Sequence, residues 1–199
     1  MNILIRLLNI KEVEEHEEYI LSTLDKERFI SANKYVHRED YLRSLGAGYL
    51  INKYTSSSPL RFNKYHKPYK DDCYFNVSHS SSYIAFISYK DECGIDIEEI
   101  KEIREKALKY SFNDEQLLKI KSPFDFYKSW TLKEALGKAD GRGLSYNIKD
   151  IPVSTGKVAY EGATYYNYYT QYDNYIISVS VKNIEAERLD IIIENIKEN

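Results

Sequence analysis

Apolar positions recur along the chain with two periods, and the alternation of those periods predicts the elements. Residues 3–8 form an apolar run broken only by Arg6, which predicts a first strand. Residues 11–24 space Val13, Tyr19, Ile20 and Leu24 among charges, the mark of an amphipathic helix, and Asp25 caps a further helical stretch over 26–36. A stronger helix is predicted over 39–54, with Leu42, Leu45, Tyr49, Leu50 and Tyr54 in one stripe and Gly46 and Gly48 permitting close packing. Thr55 to Pro59 stop it. Residues 74–80 begin as a strand and break into polar residues, strands follow at 83–89 and 94–98, then a charged helix at 100–110 and a short one from Asn113. Residues 165–172 and 175–181 read as a hairpin turning at Asp173 and Asn174, while 185–197 are compatible with helix or strand. The sum is an α+β protein of antiparallel sheets flanked by helices, with no Pro-, Gly- or Ser-rich linker dividing it.

One helix carries more than a core stripe. Pro123 stands where a first turn begins, and Gly141 and Gly143 where a helix stops. Between them Leu132, Ala135, Leu136 and Ala139 share an apolar side. Tyr127, Trp130, Glu134 and Lys138 share another, with Lys133 at its edge. A surface ion pair between Glu134 and Lys138, worth a few tenths of a kcal/mol, would account for the charges alone.

Composition narrows the setting. The chain has 199 residues, 43% hydrophobic and 30% charged, the balance of a globular protein with a real core. A net charge of −3 gives no reason to expect nucleic acid or an anionic membrane as the main partner. No apolar run approaches the length of a bilayer span, and the opening strand lacks a signal-peptide cleavage site, so a cytoplasmic protein is expected. Cys73 and Cys93, without His at ligand spacing, imply neither a disulfide framework nor a zinc site.

Three stretches offer chemistry. In Gly94-Ile95-Asp96-Ile97-Glu98 a strand places Asp96 and Glu98 on one face and the isoleucines on the other. Two carboxylates so placed belong either to an edge strand with a solvated face or to a hard-cation site, Mg²⁺ rather than zinc, with Glu134 as a third oxygen donor. Ser78-His79-Ser80 lacks the geometry of a nucleophile and its base, because neighbours on an extended chain point to opposite faces. Phosphate contacts or a plain polar turn are the alternatives there. Among the cations Arg38, Arg43, Lys64 and Lys67, Lys67 is the best anion contact, set between Tyr65, His66, Pro68 and Tyr69.

Taken in order, these motifs resemble the 4′-phosphopantetheinyl transferases. Gly94-Ile-Asp96-Ile-Glu98 followed by Trp130-Thr-Leu-Lys133-Glu134-Ala-Leu-Gly-Lys138 carries the likeness. His66-Lys67-Pro68, Phe75-Asn76-Val77-Ser78-His79-Ser80 and Gly141-Arg-Gly143-Leu144-Ser145 narrow it to the monomeric type that activates surfactin synthetase. The resemblance spans about residues 38–145. It implies transfer of the phosphopantetheine arm of coenzyme A to a serine of an apo carrier protein, with release of 3′,5′-adenosine diphosphate. It further implies two similar halves, about 1–92 and 93–199, related by a pseudo-twofold axis around a coenzyme A cleft.

By the same resemblance Asp96, Glu98 and Glu134 hold Mg²⁺, and Glu134, directly or through a metal-bound water, takes the serine proton. Lys138 serves the α-phosphate side of the reaction centre, and Ser78 and His79 bind phosphates. Arg43 and Lys67 bind the 3′-phosphate or adenine end, with Lys133 beside the site. Carrier contact is expected over residues 101–122. The sequence departs from the family pattern where Arg28 and Ser31 replace lysines, His66 a glycine and Arg142 a lysine.

Overall fold

The computed structural model describes residues 2–24, 28, 30, 32–103, 105–142, 147–183 and 185–197. Elements are numbered here over those residues. Strand β1 (Ile3–Asn9) leads into two short helices, α1 (Ile10–Glu15) and α2 (Glu17–Thr23), which meet at His16 rather than forming one helix over 11–24. Helix α3 (Arg38–Tyr54) follows, then the two-residue strands β2 (Arg61–Phe62) and β3 (Pro68–Tyr69). Within the stretch expected to be helical at 26–36, residues 26, 27 and 29 and Ser31 lie outside the described residues, as do Gly143, Leu144 and Ser145.

Strands β4 (Tyr74–Ser80), β5 (Tyr83–Tyr89) and β6 (Cys93–Glu99) come next, followed by α4 (Glu105–Ser111), α5 (Asp114–Leu117) and α6 (Pro123–Asp140). A 3₁₀ turn (Ile148–Asp150), the β7–β8–β9 meander (Gly156–Tyr160, Ala163–Tyr172, Tyr175–Lys182) and β10 (Leu189–Ile193) complete the order.

Eight strands make two four-stranded sheets, β10-β1-β5-β4 and β6-β9-β8-β7, and β2 and β3 pair with each other. The pairings are antiparallel except for β10, which lies parallel to β1 with Ile3 opposite Leu189. The last strand therefore returns to the sheet of the first.

Period two decides which side chains go where. Ile3, Ile5 and Leu7 of β1 and Ala85, Ile87 and Tyr89 of β5 face Ile95, Ile97, Ile177, Val179 and Val181 of the second sheet in one shared core. Their alternates, Leu8, Ile84 and Phe86, join Phe75 in packing under α1 and α3. Beyond the second sheet, Leu136 and Ala139 of α6 pack on Val158, Tyr160 and Tyr165. The layers thus run helix, sheet, sheet, helix, each element burying one face.

Local chemistry fixes the ends of α6. The Ser122 hydroxyl accepts from the Asp125 N–H as N-cap, Pro123 opens the first turn, and Gly141 closes the helix at φ 75°. The β2–β3 loop is strained by contrast, because His66 stands at φ 66°. A side chain there costs roughly 1–2 kcal/mol, part of which glycine gives back as unfolded-chain entropy. His66→Gly is expected to raise stability by about 0.5–1 kcal/mol, read as a higher urea midpoint at unchanged slope.

Candidate functional site

The two sheets meet edge to edge where β4 lies beside β6, and side chains there replace the missing backbone ladder. Asn76 Oδ1 accepts the Ile95 N–H at 2.9 Å. Two residues on, the Ser78 hydroxyl donates to Asp96 Oδ1 at 2.8 Å. Two further, the Ser80 hydroxyl donates to Glu98 Oε2 at 2.8 Å and accepts the Glu99 N–H at 3.1 Å. One face of β4 thus supplies Asn, Ser and Ser at period two to one face of β6.

The other wall of the site is α6. Gly94 lies against it, since a Cβ built there would stand 2.1 Å from the Ala135 carbonyl oxygen and 2.4 Å from the Ala139 nitrogen. With no side chain separating strand and helix, the next positions on the same face of β6 meet the next turns of α6. Lys138 Nζ donates to Asp96 Oδ1 at 2.6 Å, to Ser78 Oγ at 3.0 Å and to the Ile95 carbonyl at 3.2 Å. The Trp130 side chain acts on Glu98, lowering its pKa against the rise from burial, and the Asp96 charge acts on Glu134. The match is geometric: four helical residues rise about 6.0 Å and two strand residues about 6.6 Å. Positions 94, 96 and 98 therefore keep step with 138, 134 and 130.

The electrostatics are those of carboxylates crowded out of water. Burial first, then the neighbouring Asp96 charge, raises both Glu98 and Glu134 above the usual carboxylate range, while Lys138 opposes the shift at each. Asp96 itself is 4% exposed, and its Oδ2 is buried without a hydrogen-bond partner. That burial removes the reading of β6 as an edge strand with a solvated face. His79 lies on the opposite face of β4 from Ser78, and desolvation followed by the Arg43 and Lys138 charges holds its pKa down.

Arg43 is anchored rather than free. Its Nε and Nη2 donate to the Ser81 carbonyl at 3.1 and 2.8 Å, and its guanidinium pairs with Asp40 and Glu39. Arg28 lines a separate cleft of about 630 Å³ with Asn52, Ser57, Leu60, Phe62 and Lys70.

Two expected ligand contacts are placed otherwise. Lys67 does not present its ammonium to an anion: Nζ donates to the carbonyls of Cys93 at 3.0 Å and Ala139 at 2.9 Å, and burial lowers its pKa. Lys133 is wholly buried instead of lying at the edge of the polar face. Its Nζ donates to the Ile148 carbonyl at 2.7 Å and sits 5.0 Å from the Phe112 ring centroid. It holds the 3₁₀ turn whose Ile148 and Lys149 line a cleft of about 500 Å³ with Lys109, Tyr110, Trp130 and Glu134. Asn76 has no role in the sequence reading, and Ser80 enters it only within Ser78-His79-Ser80 as a phosphate contact or polar turn; the structure gives both to the β6 seam.

Burial lowers the Lys133 pKa to about 8. The unfolded chain holds that proton up to about 10.4, so between these values it binds more protons and this residue makes stability rise with pH. The stability of wild type relative to Lys133→Met is expected to grow by about 2 kcal/mol from pH 7 to 9.5, measured by urea unfolding at both. A difference constant over that range would mean that the ammonium is not buried.

Fold and site together define an α+β protein with a buried carboxylate–ammonium centre at the seam between two sheets. Residues 92–180 match the family described as the 4′-phosphopantetheinyl transferase superfamily. The chain is 31% identical over 167 residues to the 4′-phosphopantetheinyl transferase gsp of Aneurinibacillus migulanus, covering 74% of this chain and 70% of that protein. It is 29% identical over 157 residues to the 4′-phosphopantetheinyl transferase Sfp of Bacillus subtilis (strain 168), covering 70% of each. To the 4′-phosphopantetheinyl transferase ffp of Bacillus subtilis it is 26% identical over 168 residues, 74% of this chain and 75% of that one. The chain belongs to the 4′-phosphopantetheinyl transferase superfamily.

Proposed function

We propose that this enzyme transfers the 4′-phosphopantetheine arm of coenzyme A to a serine of an apo carrier protein, with Mg²⁺, releasing 3′,5′-adenosine diphosphate. The observation that carries this reading is the register of β6 against α6, which brings Asp96, Glu98, Glu134 and Lys138 to one seam. Family membership supports coenzyme A and a carrier protein as the two partners.

The residues fit a hard cation by their chemistry. All three acidic side chains offer oxygen, Asp96 Oδ2 is buried and unpartnered, and the raised Glu98 and Glu134 carboxyls would be relieved by a nearby positive charge. As they stand, no three His, Cys, Asp or Glu side chains among the described residues are gathered closely enough to hold an ion. We assign Asp96, Glu98 and Glu134 as the ligands, and the chemistry that Mg²⁺ supplies there is neutralisation of the diphosphate charge.

In the transfer the carrier serine oxygen bonds to the phosphorus that bears pantetheine, and the bond from that phosphorus to the bridging oxygen breaks. Glu134 receives the serine proton, a task its raised pKa suits. The Lys138 ammonium stabilises charge on the transferring group and its leaving oxygen. Ser78 and His79 stand on β4 to bind phosphates, with Arg43 positioning the turn behind them. The cleft beside Glu134 opens toward exposed Tyr110 and Lys109, within residues 101–122 where carrier contact is assigned.

We take the frame as two halves, about 1–92 and 93–199, related by a pseudo-twofold axis. Each half supplies a long helix and strands of one sheet, and β10 returns to the first sheet. A monomer is proposed, with one chain supplying all three acidic residues; an obligate trimer on a sizing column would overturn that. A cytoplasmic setting is proposed with it; among the described residues no helix is long and apolar enough to cross a membrane.

The decisive measurement is the intact mass of an apo carrier protein after incubation with this protein, coenzyme A and Mg²⁺. A gain of one phosphopantetheine, lost on chelation, is expected. No gain across acyl, peptidyl and aryl carriers, despite coenzyme A binding, would instead mark a silent binding module.

A further inference from the structure

We infer that the β2–β3 loop is a clamp on the catalytic helix, with Lys67 and Asn63 acting as positioning residues for the proposed transfer rather than as ligand contacts. A helix leaves its last carbonyls without partners inside the helix. At the C-terminal end of α6, the Ala139 carbonyl accepts from Lys67 Nζ at 2.9 Å and the Gly141 carbonyl from Asn63 Nδ2 at 3.1 Å. The same Lys67 ammonium donates to the Cys93 carbonyl at 3.0 Å, at the start of β6. One cation therefore bridges the end of the helix to the beginning of the strand.

Asn63 organises the loop that delivers this cation. Its Oδ1 accepts the Tyr65 N–H at 2.8 Å and the Lys67 N–H at 2.9 Å, and its backbone N–H donates to the Lys67 carbonyl at 3.0 Å. The fit is close: a Cβ built on Gly141 would lie 2.7 Å from Lys67 Cδ and 3.1 Å from Asn63 Nδ2. The bridged residues adjoin the reacting groups. Ala139 follows Lys138, Cys93 precedes Gly94, and Lys138 and Asp96 are the pair whose 2.6 Å contact closes the seam. Slackening the clamp lets α6 slide along β6, and the Lys138–Asp96 register shifts with it.

The test uses full-length Lys67→Met and the milder Asn63→Ala, with steady-state transfer and hydrogen exchange read on both. The clamp predicts a kcat lowered about 10- to 100-fold in Lys67→Met, as for a catalytic group displaced by about an ångström. It also predicts KM for coenzyme A within about twofold of wild type and faster amide exchange at residues 93–96 and 135–142. Asn63→Ala should shift kcat and exchange the same way by less. A raised KM for coenzyme A at unchanged kcat would overturn the clamp and make Lys67 a ligand contact. Unaltered exchange in both variants would overturn it as well. The kinetic arm rests on the proposed function; if wild type transfers nothing, that function fails and exchange alone decides the clamp.

Discussion

Glu134→Gln is expected to lower kcat by at least about 10³-fold and to leave the fold more stable than wild type. The amide keeps the shape of the side chain but neither takes a proton nor carries charge, and loss of a general base typically costs 10²–10⁴-fold. Stability should move the other way, because burial and the Asp96 charge make the ionised Glu134 unfavourable in the folded state. Its folded pKa is raised, so its unfavourable contribution is present above that pKa and absent below the unfolded value. At neutral pH the amide removes it. Asp96→Asn should lose transfer too, but with a loss of stability, since its oxygen holds the Lys138 ammonium at 2.6 Å. Single-turnover mass spectrometry and urea midpoints separate the two variants. Near-normal turnover in Glu134→Gln would sink its assignment as base and ligand.

Gly94→Ala is expected to cost about 3 kcal/mol or more in stability and to take transfer with it. The added carbon would stand 2.1 Å from the Ala135 oxygen, 2.4 Å from the Ala139 nitrogen and 3.0 Å from the Lys138 carbonyl carbon. All three are backbone atoms, so no rotamer relieves the clash, and strand and helix must separate. Overpacking of a core by a movable side chain costs roughly 1–3 kcal/mol, and a backbone contact stands at or beyond the upper end. Because Asp96 follows two residues later on the same face, separation also opens the Lys138–Asp96 contact. Equal urea midpoints for Gly94→Ala and wild type would contradict the close approach.

Much of this site was legible because its signals are local. Ser122, Pro123 and Gly141 mark the ends of α6 by short-range hydrogen bonding and dihedral preference, and alternation alone sets Asp96 and Glu98 on one face of β6. What escaped the sequence depends on partners far along it. Lys67 reads from sequence as an anion contact and Lys133 as the edge of the polar face, whereas carbonyls 26 and 72 residues from Lys67 and 15 residues from Lys133 accept their hydrogen bonds. The helix expected from residue 100 does not start there, because the Ile100 N–H is tied at 2.8 Å to the Asn174 carbonyl in the β8–β9 turn. Strand β7 went unseen because only Val158 and Tyr160 of its five residues are buried. The undecided tail became β10, a strand whose apolar run lacks alternation since it lies at a sheet edge. Its parallel register is set by β1, not by its own residues.

That pairing of the last strand with the first has a consequence for the order of events during synthesis. Ile3 leaves the ribosome before its partner Leu189, which emerges 186 residues later. At roughly 5–20 residues per second, the outer edge of β1 waits about 10–40 s for the strand that covers it. During that interval a twisted, partly apolar edge stands open to pairing with any other nascent chain. Exposed Leu4 and half-buried Arg6 sit on the face of β1 opposite the core shared by the two sheets, and it is Arg6 that Glu194, just past β10, finally captures at 2.6 Å. The bond that seals the sheet thus forms only after strands β1–β9 have all emerged.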